Sequence, residues 1–181
     1  MLPVSGAEQL KTIEEARLRP MLSQSIPYSQ LVRPVPCSSS GRNMFHSPSA
    51  FARDPRLVWE WYAWRRGLVE GAAPNPGHEA LAELERYVPE FVLITQNVDG
   101  LHRRAGSQRI IELHGNIMRS KCSLEAVILE PNEDDTDVPP SCPRCGASLR
   151  PYVVWFGEML PQEALEEAFE SAQNCDLFFS I

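Results

Sequence analysis

Several absences narrow the field for this sequence of 181 residues. No apolar run approaches the roughly 20 residues that a membrane-spanning helix needs. The N-terminus also lacks the basic-then-apolar order of a secretory signal. Membrane and secreted classes are therefore set aside for an intracellular protein, cytoplasmic if its source is bacterial and mitochondrial if eukaryotic. No basic run is present that would follow a phosphate backbone, and 17 Lys plus Arg against 24 Asp plus Glu leave a net charge of -7. A direct nucleic-acid partner is excluded on that balance. An even cysteine set is missing too. Cysteines stand at positions 37, 122, 142, 145 and 175, and an odd number with a Cys142-Pro-Arg-Cys145 pair suits metal binding better than a secreted disulfide framework.

What is present fits a globular chain: 43% hydrophobic content and enough length for a substantial core. Residues 1–46 stand apart, with a short helical candidate over 7–19 followed by a Ser- and Pro-rich stretch without periodicity. Glu8, Glu14 and Glu15 count against reading this segment as a mitochondrial presequence. From Ser47 onward the pattern is regular. The spacing predicts an aromatic helix over 55–70, a second helix opened by Pro74 and Pro76, and a third over 161–173. Apolar runs at 91–95, 110–113 and 176–181 predict strands, and a cysteine-bearing insert occupies 120–150. Alternation of helix and strand implies an α/β fold with a mainly parallel sheet.

Two features of this pattern point to chemistry. Gln96, Asn97, Asp99 and His102 follow the first strand directly, and His114-Gly115 follows the second. Strand ends of a parallel sheet are where a nucleotide's sugar and amide are hydrogen-bonded, although Asn-x-Asp-Gly by itself is also a plain turn signal. The other feature is Val58-Trp-Glu-Trp-Tyr-Ala-Trp-Arg-Arg66. Val58, Trp61, Tyr62, Arg65, Leu68 and Val69 share one helical face, which puts Arg65 inside an apolar stripe and Arg66 with Glu60 on the solvent side. An arginine in that stripe either snorkels to its edge or has an acidic partner.

NPGHEAL, TQNVDGLHRRAG, ELHGN, CPRCG and LRPYVVWFGE, which run in the family's order between about Ser47 and Ile181, resemble the motifs of the sirtuins, NAD-dependent protein-lysine deacylases. The resemblance implies a partial Rossmann-like parallel sheet with an inserted small helical and zinc-ribbon-like module. It implies NAD and zinc as cofactors, acyl-lysine proteins or peptides as partners, and nicotinamide and O-acyl-ADP-ribose as products. His114 is then the general base that activates a ribose hydroxyl, while Gln96, Asn97 and Asp99 contact the nicotinamide and ribose. Val153 to Glu158 pairs with the substrate backbone, with Val154 and Phe156 flanking the acyl-lysine channel and Gly157 and Glu158 completing the segment. Tyr62-Ala-Trp-Arg65 resembles the Tyr-x-x-Arg pair of class III sirtuins, which prefer succinyl, malonyl and glutaryl groups; a guanidinium and a phenol suit a carboxylate. Acetyl-lysine is the broader alternative.

The pattern also departs from the family. Cys142 and Cys145 match one zinc-binding pair, but the other is Cys122-Ser-Leu-Glu125, so a carboxylate, a water or nothing completes the site. Cys175 reads as a buried thiol. The Gly-Ala-Gly-x-Ser loop and the Gly-Thr-Ser loop of the family are not found, and the expectation is a sirtuin fragment that binds NAD weakly or not at all and folds poorly. An inactive pseudoenzyme and a zinc-ribbon-like binding module are the competing readings.

Overall fold

A computed structural model describes residues 45–131 and 137–181. The irregular segment expected over residues 1–46, its helix at 7–19 and Cys37 lie outside the described residues, except for Phe45 and His46.

Three of the helices begin with the same chemistry: a residue with a short polar side chain caps the backbone and proline takes the first turn. Ser47 caps α1 (Pro48–Arg53), Asp54 caps α2 (Pro55–Gly71), and Asn75 with His78 forms a capping box on α3 (Pro76–Glu85). Each cap accepts a backbone N–H that the helix leaves unpaired, and proline has no N–H to lose there. β1 (Leu93–Thr95) follows, then α4 (Leu101–Ala105) and β2 (Ile110–Glu112). β1 and β2 pair in parallel, Leu93 opposite Ile110 and Thr95 opposite Glu112, so their carboxyl ends emerge side by side. Glu112 is tolerated in its strand because Arg119 pairs with it and Asn116 donates to it at 2.7 Å.

The cysteine-bearing insert is an antiparallel sheet in the order β4-β3-β5, from β3 (Gly115–Cys122), β4 (Ile128–Leu129) and β5 (Leu149–Val153). α5 (Gln162–Asn174) follows it. The α/β architecture and the small module are thus both present. The third expected strand is not: residues 176–181 pair with no strand among the described residues, and Leu177, Phe178, Phe179 and Ile181 are exposed. An apolar run supplies only side chains; a strand also needs a neighbour's N–H and C=O groups. Cys175, expected to be buried, is exposed as well.

The core joins α1 and α2 to the antiparallel module through Phe51, Val58, Trp59, Tyr62, Ile117, Leu149 and Trp155. α2 is rotated relative to the expected stripe. Trp59 is buried and its indole N–H donates to the Leu149 carbonyl at 2.5 Å, whereas Leu68 is 54% exposed. Arg66, expected in solvent, instead reaches β3: it donates to the carbonyls of Ile117 at 2.7 Å and Arg119 at 2.9 Å, and its guanidinium lies 4.8 Å from the Trp59 ring centre. Those acceptors replace water for the charge. Burial lowers its pKa to about 10, against a partial rise from Glu70. No helix among the described residues is long and apolar enough to cross a membrane.

Candidate functional site

The parallel register places Gln96 and His114 at adjacent strand ends. The Leu113 N–H donates to the Thr95 carbonyl at 2.9 Å, and His114 Nδ1 lies 3.1 Å from the Gln96 carbonyl oxygen. A carbonyl can only accept, so this hydrogen bond requires the proton on Nδ1 and leaves the Nε2 lone pair of the neutral ring available to take another. Gly115 leads out of the 113–114 turn into β3. Its φ is +77°, and a Cβ there would sit 2.3 Å from the Tyr152 carbonyl oxygen, so only glycine lets β3 approach β5 this closely.

Irregular pairing after Gly115 binds the neighbouring loop. Gly115 opposes Val153 and Ser120 opposes Pro151, so β3 bulges between them. Within the bulge the Ile117 N–H donates to the Val98 carbonyl at 2.8 Å. The Asn97–Asp99 turn is thereby held beside the His114 strand. Asp99 accepts the Leu101 N–H at 2.9 Å, which makes it a helix-start residue in this structure, while the Gln96 and Asn97 side chains have no hydrogen-bond partner among the described residues. His102, near the same turn, has its pKa lowered by burial and by His78, with Asp99 opposing.

On its other side His114 meets the Val153–Glu158 segment, where the Val154 N–H donates to the His114 carbonyl at 3.0 Å. The segment is braced from within. Arg150 holds the Glu158 carboxylate through two contacts, at 2.5 and 2.8 Å, and the Trp155 N–H donates to it at 2.8 Å. Burial alone would raise the Glu158 pKa, but the bonds from Arg150 and Trp155 and the charges of Arg150 and Lys121 bring it below the ordinary value. Glu158 therefore shapes the turn. Phe156 is exposed, and its N–H donates to the His46 carbonyl at 2.9 Å. The carbonyls of Val154 and Phe156 and the Gly157 N–H have no partner among the described residues. An open cleft of about 890 Å³ borders Val154 and Glu158, reaching Met159 and the first turn of α5, but Tyr62, Arg65 and His114 do not line it.

Trp155 connects this segment to α2. Its indole N–H donates to the Tyr62 hydroxyl at 2.8 Å, and Tyr62 is 1% exposed. Burial raises the Tyr62 pKa despite lowering contributions from Trp155, Arg65 and Arg150. Arg65 is half-buried, with its guanidinium 4.9 Å from the Trp61 ring centre and no ion pair among the described residues. Sequence reasoning missed three members of this group: His46, Arg150 and Trp155. Trp155 lay within the Val153–Glu158 segment read for its backbone, Arg150 lay just before it in LRPYVVWFGE, and His46 was assigned to the unmatched end of the chain.

The cysteines form a second cluster. The sulfurs of Cys122, Cys142 and Cys145 lie within 4.8 Å of one another, with Cys122 and Cys145 3.5 Å apart, so the three could hold a metal ion. Edge lengths near this value suit a tetrahedral thiolate site with Zn–S of about 2.3 Å. The Glu125 and Leu124 backbone N–H groups favour the Cys122 thiolate and lower its pKa. Cys145 moves the opposite way, to about 11: the Ala147 N–H favours its thiolate, but desolvation and the sulfurs of Cys122 and Cys142 outweigh it. The Glu125 carboxylate pairs with Arg144 at 3.2 Å and is not part of the gathered group.

A parallel pair of strands ending in a histidine and free amides, joined to an antiparallel module whose three cysteines could hold a metal ion, has the arrangement of a nucleotide-type α/β site. The chain belongs to the Sir2 family, whose model matches residues 38–181. It is 56% identical over 135 residues to an NAD-dependent protein deacylase of Aeropyrum pernix, covering 75% of this chain and 55% of that protein. A crystal structure of a Sir2 homolog–NAD complex superposes with a TM-score of 0.68 at 47% identity, over 74% of this chain and 53% of that one. A Sir2–p53 peptide–NAD+ structure has a TM-score of 0.64 at 35% identity, over 74% and 57% respectively. The chain thus spans about half the length of the relatives it matches.

Proposed function

We propose that this site removes acyl groups from protein lysines in an NAD-dependent reaction, with His114 as general base. The observation that carries the reading is the His114 Nδ1 contact with the Gln96 carbonyl, which orients Nε2 as a proton acceptor. The uncommitted side chains of Gln96 and Asn97 fit a nicotinamide and ribose at the strand ends, and NAD when bound supplies the electrophilic ribose carbon and its leaving group. His114 then takes a proton from a ribose hydroxyl. The exposed carbonyls of Val154 and Phe156 and the Gly157 N–H suit a substrate peptide added as an extended strand, with Val154 and Phe156 against the lysine methylenes. Cys122, Cys142 and Cys145 would hold zinc, tying the start of the β3–β4 turn to the 142–145 turn. Residues 47–181 make up the catalytic part in this reading, together with His46.

The acyl group favoured is an acidic one, such as succinyl, malonyl or glutaryl. Arg65 is the reason: a half-buried guanidinium without a carboxylate of its own is suited to accept one from a ligand. Peptide-dependent release of nicotinamide from NAD tests the reaction itself. It should be present in the wild type and lost in His114→Tyr, and release that persists in the variant would refute the assignment.

A further inference from the structure

The Tyr62 hydroxyl has more claimants than it has protons. A phenol carries one donor and two acceptor positions. The Trp155 indole N–H, which can only donate, occupies one acceptor position at 2.8 Å. His46 Nδ1 lies 3.3 Å from the same oxygen. If Nδ1 bears no proton, it takes the Tyr62 hydrogen, and Tyr62 has nothing left to donate to a ligand. The neutral ring blocks Tyr62 in this way when its proton is on Nε2; the imidazolium always carries a proton on Nδ1, donates it to the Tyr62 oxygen, and releases the Tyr62 O–H to point elsewhere.

The ring is placed for this role. His46 meets Trp61 edge-on at 4.5 Å between centres, and Arg65 rests on that same tryptophan at 4.9 Å. The His46 carbonyl is fixed by the Phe156 N–H, which anchors the residue to the Val153–Glu158 segment. Among the described residues, the groups that face the imidazole are Trp61, Tyr62 and Arg65 from α2 and Phe156 from the loop after β5; Arg150 and Glu158 lie behind, around Trp155. Among the described residues no carboxylate is bonded to His46. Burial and the Arg65 charge lower its pKa, so an incoming anion is what would favour its charged form.

We propose that His46 is a specificity-determining residue for the acidic acyl group, its protonated form releasing the Tyr62 O–H and adding a second positive charge beside Arg65. This rests on the reading of Tyr62 and Arg65 as the acyl-end contacts. Acidic acyl-lysine binding is then coupled to proton uptake at His46, and the coupling is reciprocal. Acyl groups without a carboxylate have no such coupling. Discrimination in favour of acidic groups therefore rises as pH falls toward the His46 titration range.

Histidine-labelled NMR of the full chain tests this directly, because the sequence has only four histidines and His46→Gln assigns one of them. A succinyl-lysine peptide and an acetyl-lysine peptide of the same sequence are added across a pH series. The succinyl peptide should raise the His46 titration midpoint by about one unit, corresponding to a tenfold change in affinity, while the acetyl peptide leaves it in place. Both should perturb His114. His114 responding to both peptides with an unchanged His46 midpoint would overturn the role of His46 alone. Failure of either peptide to perturb His114 would overturn the acyl-lysine reading and this inference with it. In His46→Gln, which keeps a hydrogen-bonding side chain without the titration, succinyl-peptide affinity should lose its rise at acid pH; a rise equal to wild type would also overturn the proposal.

Discussion

Arg65 and Arg66 are adjacent in the sequence, yet one rests on the Trp61 ring and the other reaches into the backbone of β3. Their substitutions should separate accordingly. Arg66→Met removes charged donors from the Ile117 and Arg119 carbonyls and should cost about 1.5–3 kcal/mol in chemical denaturation. Arg65→Met removes no ion pair among the described residues, and its unfolding midpoint should remain close to wild type. Helical periodicity put Arg65 in the apolar stripe and Arg66 in solvent, yet both are partly buried, because spacing shows which residues share a face and not the carbonyls a long side chain can reach. Glu158 gives a pH-dependent test. Its folded pKa is depressed, so its contribution is present above the ordinary carboxylate range and is lost as pH falls through the folded value. The stability difference between wild type and Glu158→Gln should therefore be greatest near neutrality and shrink on acidification; a difference independent of pH would contradict the Arg150–Glu158 account.

Among the elements, the helix starts were the most legible because capping and proline chemistry are local. Strand existence was less so. Runs 91–95 and 110–113 found each other as a parallel pair, while 176–181 has an equally apolar sequence and no partner among the described residues. The β3 bulge could not be read from sequence at all, since it depends on Val98 and Tyr152 arriving from separate segments. Gly115→Ala tests that arrangement. A methyl group would collide with the Tyr152 carbonyl and strain the positive φ, so β3 and β5 must separate next to His114. Its expected cost is about 1–3 kcal/mol, with faster hydrogen exchange at Val154, whose N–H bonds the His114 carbonyl. Exchange at Val154 unchanged from wild type would show that the glycine is not what keeps these strands together.

For the molecule as a whole, the family was legible from motif order; of the residues proposed for the site, Gln96 bonds His114 and His114 bonds Val154, while Trp155 bonds Tyr62. His46 was not legible, because the sequence boundary drawn after residue 46 separated it from the helix it packs against. The cysteine module makes a further prediction at this scale. Purified protein should contain about one zinc per chain, and its chelation should lower the melting temperature, with Cys145→Ser abolishing both the metal content and the chelator effect. A full metal complement in Cys145→Ser would exclude the three-sulfur site.

The central claim joins the base at His114 to the acyl-end reader at Arg65, and one comparison addresses both: nicotinamide release from NAD with succinyl-lysine and acetyl-lysine peptides, for wild type and Arg65→Met. Loss of a charge-assisted hydrogen bond of about 1.5–3 kcal/mol should reduce kcat/KM for the succinyl peptide roughly tenfold to a hundredfold, while the acetyl peptide is little affected. Equal losses on the two peptides, or no peptide-dependent release from the wild type, would contradict the account.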